Sequence, residues 1–373
     1  MNNNSVICKF INDHLDNWEE LIASKGIKVR KDGDLACFKY NMYSKDLDWN
    51  DPISLESRGI IINYKTCEVV CWPFNKFFNI QEHWHDEIDW KTAQVQEKID
   101  GSIIKLYYYN DKWNFATNEV IYAKNASTPG GGNFQEIIEK ANNYNKIVDL
   151  INNDKLDKNK TYIFELVSTE TRVVIDYGFT KLFHTGTRNN LTGIESNDDI
   201  GIDKPHVYPI NSLEGALKAA SELNKGSKEV TKEGFVVVDS RWHRVKIKSM
   251  DYVIAARAFE IKSLSLRKYL KIRDDLNNSK NELPYSLKAA CIYYEFKLME
   301  LEYRIDDAIR YARLISEEYE YDYKAIAKII SNDELSRIMF RAIRDKDFTA
   351  KDGMKLLSIT KLEQFIPDYK KYW

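Results

Sequence analysis

Apolar and β-branched runs, separated by turn-forming residues, dominate the chain up to about residue 250. Gly59-Ile60-Ile61-Ile62, Ile103 to Tyr109, Tyr162 to Val167, Arg172 to Tyr177 and Gly234 to Val238 are such runs, and they predict strands. Arg244-Val245-Lys246-Ile247-Lys248 alternates strictly, which puts its cations on one face of a strand and Val245 and Ile247 on the other. Ala93 to Lys98 is also strand-like. The Asp100-Gly101 pair after it, and the apolar run from Ile103, predict a hairpin with the Lys98 amine at its lip. After about residue 252 the period becomes helical. Ile292, Phe296, Met299, Ile305, Ile309, Ala312 and Ile315 recur at helical spacing in a long segment starting near Ser286. Ser331-Asn332-Asp333-Glu334 has the form of a capping box opening a further helix, and Pro284 and Pro367 bracket the region. The pattern divides the chain into a strand-rich domain, residues 1–252, and a separate all-helical module, residues 253–373.

Two polar stretches, residues 125–133 and 152–160, read as exposed loops. Pro129 is followed by Gly130-Gly131-Gly132, which lacks the Gly-Lys-Ser/Thr of a phosphate-binding loop and reads as a flexible linker or lid. Composition, at 43% hydrophobic and 30% charged, is that of a soluble globular protein. No apolar run approaches the ~20 residues of a membrane span. The opening Met1-Asn2-Asn3-Asn4-Ser5 lacks the regions of a signal peptide, so a cytoplasmic protein is expected. Cys8, Cys37, Cys67, Cys71 and Cys291 form no metal-site spacing with the histidines and read as thiols. His83-Trp84-His85 has no second ligand pair at zinc-site spacing, so no metal is expected there. With 55 basic and 57 acidic residues, the net charge of −2 gives no global argument for nucleic acid; a polyanion site must be a local cluster.

Such clusters exist. An amine that attacks a nucleotide α-phosphate must first lose its proton, which at pH 7 costs roughly 4–5 kcal/mol from the ordinary lysine pKa. Neighbouring cations and burial lower that cost, and positive charge must meet the triphosphate. Arg244, Lys246 and Lys248 form a row that suits a polyphosphate, with a lysine-protected sheet edge as the competing reading. Glu165 sits inside an apolar strand run, and Glu233 at the mouth of another with Gly234 beside it. Arg58 stands at a strand mouth, and Lys76-Phe77-Phe78-Asn79 joins a cation to two aromatics and an amide.

In that order, Lys98-x-Asp100-Gly101, Phe164-Glu165, Glu233-Gly234-Phe235 and Lys246-Ile247-Lys248 resemble the covalent nucleotidyltransferase superfamily of polynucleotide ligases and capping enzymes. Leu55-Glu56-Ser57-Arg58-Gly59-Ile60 and the run from Trp72 to Asn79 narrow the resemblance to the bacteriophage ATP-dependent RNA ligase 1 family, over most of residues 38–255. The closing Phe365-Ile366-Pro367 and its basic-aromatic tail also fit. The resemblance implies an α+β fold: an antiparallel-sheet nucleotidyltransferase (ligase adenylation) domain followed by an all-helical C-terminal domain. It implies that Lys98 attacks ATP to give lysyl–AMP, that AMP passes to an RNA 5′-phosphate, and that a 3′-hydroxyl then displaces AMP. ATP is the implied co-substrate, with Mg²⁺, for which Mn²⁺ can substitute. By the same resemblance Tyr40, Arg58, Lys76, Glu165, Glu233, Lys246 and Lys248 bind ATP or AMP, Glu165 and Glu233 hold the metal, and Arg172 contacts substrate RNA.

One position departs from the family. Phe115-Ala116-Thr117-Asn118-Glu119 puts Asn118 where a basic residue is usual; either Lys124 substitutes or that phosphate contact is absent. The resemblance further implies cleaved tRNA as a substrate, a polynucleotide kinase-phosphatase acting upstream, and a monomer with no membrane partner. Arg310, Arg313, Arg337, Arg341 and Arg344 are helix-spaced basics suited to a phosphate backbone or, on the other reading, to a solvated face. DNA ends, GTP as in capping, and a nonenzymatic RNA-binding protein on a ligase scaffold remain the alternatives.

Overall fold

Sheet formation follows the apolar runs. In the computed structural model, which describes residues 5–42, 44–128, 131–225, 230–260, 266–267, 269–270, 273 and 285–367, the chain divides into two compact units, Met1–Val253 and Ile254–Trp373. Pro129, Gly130, Pro284 and the tail after Pro367 lie outside the described residues.

The first unit contains three sheets. One has the order β1 (Ile27–Asp32), β2 (Leu35–Tyr40), β3 (Arg58–Asn63), β4 (Glu68–Cys71). Helices α1 (Val6–Asp13) and α2 (Trp18–Ser24) bury Ile7, Ile11 and Ile22 against Phe38, Ile60 and Ile62 on one face. The other face, with Cys37, Ile61 and Cys71, packs on Tyr107 and Ala116 of the second sheet. A strand buried on both faces must be apolar throughout, which is why β3 reads as an unbroken Ile run.

The remaining strands are β5 (Phe78–Asn79), β6 (Gln94–Glu97), β7 (Ser102–Tyr109), β8 (Lys112–Thr117), β9 (Lys160–Val167), β10 (Lys181–Asn189), β11 (Glu195–Ser196), β12 (Val207–Tyr208), β13 (Gly234–Val238) and β14 (Arg244–Lys248). The second sheet has the order β11-β10-β9-β7-β8 and the third β12-β6-β13-β14-β5. Pairing is antiparallel except for β14 with β5. After α3 (Pro52–Glu56) in the first sheet's connection, α4 (Phe134–Glu139) and α5 (Tyr144–Asn152) cover the second sheet, and α6 (Leu213–Glu222) covers the third through Ala216 and Ala220.

The expected hairpin at Lys98 does not form. β6 pairs with β13 and β12, whereas β7 pairs with β8 and β9, so residues 98–101 are a crossover between two sheets. The Lys98 amide donates to the Gly234 carbonyl at 2.9 Å, extending the ladder of the third sheet. Gly101 then passes so close to the Leu166 carbonyl oxygen of β9 that no Cβ would fit. Asp100, instead of shaping a turn, accepts from the Val174 and Ile175 amides at 2.8 and 2.7 Å and from the Tyr252 hydroxyl at 2.6 Å. Those amides explain a second correction. Residues 172–177 are irregular and not a strand, because their backbone donors serve the Asp100 carboxylate.

β14 leads into α7 (Met250–Glu260). The second unit contains α8 (Tyr285–Glu318), α9 (Tyr323–Ile330), α10 (Ser336–Arg344), α11 (Ala350–Leu356) and α12 (Ile359–Phe365). The buried face of α8 is Tyr294, Leu298, Leu301, Ile305, Ile309, Ala312 and Ile315. Ile292, Phe296 and Met299, expected inside, are 69%, 56% and 62% exposed, because the helix carries two apolar stripes and the shorter helices cover only one. The capping box also falls elsewhere. Ser331 closes α9, its hydroxyl bonding back to Ala327, and Asp333 accepts from the Leu335 amide at 2.7 Å, so α10 starts only at Ser336. No helix among the described residues is long and apolar enough to cross a membrane.

Candidate active site

The crossover delivers Lys98 to a cleft between the second and third sheets. Ile99, Ile103 and Ile163 form its apolar wall; Glu97, Glu165, Arg58, Arg244 and Lys246 join Lys98 in its charged lining.

Glu233 organises the Lys98 end of the cleft. Its carboxylate, with only 3% side-chain exposure, receives Lys98 Nζ at 2.8 Å on Oε2 and Lys248 Nζ at 2.8 Å on Oε1. Gly234 makes this approach possible. Its φ is +147°, and a Cβ there would lie 2.7 Å from the Lys248 Cα. Antiparallel register then opposes Gly234 to Lys248, Val236 to Lys246 and Val238 to Arg244. Val245 and Ile247 are anchored in the core beneath, so the cations face the other side. β14 lies between β13 and β5, which removes the edge-strand reading of this row.

Burial lowers the Lys98 pKa, but Glu233, Glu165 and Asp100 outweigh it and hold the group above the ordinary lysine value. The resting amine is therefore an ammonium. Lys246 behaves oppositely. Burial, then Arg58, Lys76, Lys98 and Lys248, push it down to about 6. Glu165 is raised to about 7, chiefly by burial and also by Glu233, against the pull of Lys98 and Arg58.

Aromatic faces hold the cations. The buried Arg58 guanidinium lies 4.8 Å from the Phe77 ring centroid, and Lys246 Nζ lies 4.6 Å from the same ring. Arg58 also donates to the Tyr40 hydroxyl, whose pKa is raised by burial. Lys76 Nζ sits 4.5 Å from the Phe78 centroid and 5.4 Å from that of Trp49; its pKa is lowered, first by burial. Arg244 lies 4.0 Å over Phe74 and pairs with Glu195 at 2.5 Å, so a protein carboxylate already neutralises it.

Of the expected residues, Arg58, Lys98, Glu165 and Lys246 line the cleft; Glu233 adjoins it through its ion pair with Lys98, Lys248 through Glu233, and Tyr40 through Arg58, while Lys76 sits on the Phe78 and Trp49 rings beside Tyr40. Arg172 is exposed, donates to the Val174 carbonyl at 2.9 Å and lies 3.5 Å from Asp176; it is not part of the cleft lining. Around Asn118 the structure places two lysines differently. Lys124 is exposed, 5.6 Å from the Tyr122 ring. A cation sequence reasoning passed over, Lys105 on β7, is fully buried and donates to the Gly59 carbonyl, next to Arg58. The Asn118 side-chain oxygen is buried without a partner, and its backbone crowds the same glycine. The available signal was one lysine inside the apolar run Ile103 to Tyr109.

Among the described residues no cluster of three or more His, Cys, Asp or Glu forms a metal cage. Glu165 and Glu233 are nevertheless two carboxylates close enough to perturb one another in a buried site. That donor set suits a hard cation whose other ligands are phosphates and water.

The family model described as RNA ligase matches residues 56–252, more than half of the chain. The chain is 31% identical over 230 residues to a protein of Autographa californica nuclear polyhedrosis virus named as a bifunctional polynucleotide kinase/RNA ligase, covering 57% of this chain and 32% of that one. It is 29% identical over 252 residues to a protein of Thermovibrio ammonificans named as an RNA ligase, covering 65% and 63%. The matches therefore span about a third of the first relative and just under two thirds of the second. An archaeal ATP-dependent RNA ligase structure aligns over 81% of this chain and 83% of its own, at 13% identity and a TM-score of 0.43. The match to residues 56–252 takes in Arg58, Lys98, Glu165, Glu233, Lys246 and Lys248, and by it the chain belongs to the RNA ligase family, of the bacteriophage RNA ligase 1 type.

Proposed function

We propose that this protein is an ATP-dependent RNA ligase that joins 5′-phosphate and 3′-hydroxyl ends through lysyl–AMP. The observation that carries this reading is the triad in which the buried Glu233 carboxylate bridges Lys98 and Lys248, at one end of a row of cations. In the first step the Lys98 ammonium gives a proton to Glu233, which already touches it. The free amine attacks the ATP α-phosphorus; a P–N bond forms, the P–O bond to pyrophosphate breaks, and the pair of electrons leaves on pyrophosphate. Lys246, Lys248, Lys76 and Arg58 supply the positive charge that the β- and γ-phosphates and the developing leaving group require. Lys248 orients the triphosphate from its fixed place beside Glu233, and Tyr40 steadies Arg58 near the ribose.

In the second step an oxygen of an RNA 5′-phosphate attacks the same phosphorus, the P–N bond breaks, and Lys98 recovers its proton. In the third, an RNA 3′-hydroxyl loses its proton and attacks the activated 5′-phosphate, and AMP leaves. Glu165 and Glu233 would hold Mg²⁺ or Mn²⁺. When bound, such an ion neutralises phosphate charge.

The second unit supports a structured RNA substrate such as cleaved tRNA. Arg337, Arg341 and Arg344 of α10 line a concavity with Phe340 and Lys355, where Asp345, Asp347 and Asp352 offset part of their charge. Arg310 and Arg313 are committed within the fold, the first to Asp306 and Asp307 and the second to carbonyls of residues 345, 346 and 348. A viral relative whose name joins polynucleotide kinase to RNA ligase supports end-healing upstream of sealing. The test is incubation with labelled ATP or GTP, then with 5′-phosphorylated single-stranded RNA, a nicked duplex and an anticodon-cleaved tRNA. Label from ATP and sealing of RNA ends are expected. Label from GTP alone, or sealing confined to nicked DNA, would contradict the assignment.

A further inference from the structure

His83-Trp84-His85 stands out in the sequence, and the chemistry above does not use it. Trp84 lies on the loop between β5 and β6 and is 41% exposed. It is the outer end of an aromatic row. Its ring leans on buried Phe78, centroids 5.9 Å apart; Phe78 meets Trp49 edge-on at 5.3 Å, and Trp49 meets Tyr40 at 5.1 Å. The row is continuous with the cation row, because Lys76 rests on Phe78 and Trp49, and β5 pairs with β14 with Asn79 opposite Lys246.

The ground around Trp84 is polar, with His83, His85, Glu82 and Asp86 beside it in sequence. An exposed ring on polar ground, with a cation on the neighbouring ring of its row, fits a nucleobase better than a protein partner, which needs a surrounding apolar patch. The nearby carboxylates are engaged. Glu82 accepts from the Asn79 amide and side chain, and Asp86 accepts from the Arg244 amide.

Displacement at phosphorus places entering and leaving groups in line. When AMP leaves Lys98, the RNA 5′-phosphate must enter opposite the P–N bond, where pyrophosphate departed in the first step. It therefore travels along the same cation row, and the nucleotide carrying it emerges toward the aromatic ledge. We propose that Trp84, supported by Phe78, stacks a base of the 5′-phosphate RNA strand during AMP transfer. This rests on the ligase reading and adds to it a substrate-positioning residue outside the nucleotide cleft.

The test uses the full chain with Trp84→Ala and Trp84→Phe. Lysyl–AMP formation is measured with ATP alone. Single-turnover AMP transfer is then measured against the concentration of a 5′-phosphate oligoribonucleotide, and of the same strand with its 5′-terminal nucleotides abasic. Expected are unchanged lysyl–AMP formation, about a tenfold rise in the RNA needed for half-maximal transfer by Trp84→Ala, and recovery in Trp84→Phe, since stacking tolerates any aromatic face. The penalty should vanish on the abasic strand. Equal half-saturation for Trp84→Ala and the parent protein, or an equal penalty on the abasic strand, overturns the proposal. Failure of the parent protein to form lysyl–AMP overturns the ligase reading instead.

Discussion

Replacing Glu233 by Gln keeps the shape of the Lys98 anchor and removes its charge. Lys98 Nζ is 2.8 Å from the carboxylate, and its side chain is only 18% exposed. At an effective dielectric of about 20, a unit-charge contact at that distance is worth about 6 kcal/mol. Glu165 and Asp100 remain to hold the ammonium, and water relaxes around the new amide, so only part of that energy appears as a fall in the Lys98 pKa. The direction is firm because burial already pulls Lys98 down and only the carboxylates hold it up. The assay is trace labelling with acetic anhydride from pH 7 to 11, without ATP or metal, reading the Lys98 peptide by mass spectrometry. The parent protein should inflect above the ordinary lysine range and Glu233→Gln below it. A thermal melt checks that the variant is folded. An inflection in the variant equal to or above that of the parent would refute the idea that Glu233 holds the resting amine protonated.

Lys246, held at about 6, is largely neutral at pH 7.5, and a bound triphosphate will raise its pKa. Metal-free ATP binding should therefore take up a proton, read from the buffer dependence of the calorimetric heat; Lys246→Met should reduce that uptake, and unchanged uptake would contradict the burial-and-cation account. Lys105→Met should slow lysyl–AMP formation about tenfold by releasing the Gly59 carbonyl beside Arg58, with partial recovery on adding Asn118→Lys; no loss in the single variant would remove Lys105 from the site. His184 is buried, and its pKa is lowered to about 4 from the ordinary 6.5, mainly by burial. The folded state thus binds fewer protons than the unfolded one, and stability should fall by about 3 kcal/mol as pH drops from 6.5 through 4, then level off. Urea midpoints should show that slope in the parent protein and a smaller one in His184→Gln.

Short-range alternation made β14 legible, because a period of two fixes which side chains share a face whatever the partner strand is. The Glu-Gly mouth of β13 was legible for the same reason. The crossover at Lys98 was not. Asp-Gly is a local turn signal, yet the partners that decide the Asp100 conformation are 74 and 152 positions away. Lys105 escaped notice because a lone lysine in an apolar strand looks like edge protection until a neighbouring strand supplies the carbonyl that receives it. In α8 the helical period found apolar faces but not which one the shorter helices would cover. The roles attached to Tyr40, Lys76 and Glu165 came from family resemblance; what the fold adds is Glu165 in the lining of the cleft, with Tyr40 beside Arg58 and Lys76 on the adjoining aromatic row, and Arg172 outside that lining.

Electrostatics alone would favour Lys246, and not Lys98, as the attacking amine, since its pKa lies near 6 and that of Lys98 is raised. The account makes Lys98 the nucleophile by position, at the crossover between sheets, with Glu233 ready to take its proton. Incubation with ATP and Mg²⁺, followed by proteolysis and mass mapping of the covalent AMP, tests this most directly. The account predicts one AMP on the Lys98 peptide and none on any peptide of Lys98→Ala. AMP on Lys246, or an adduct that survives Lys98→Ala, would contradict it.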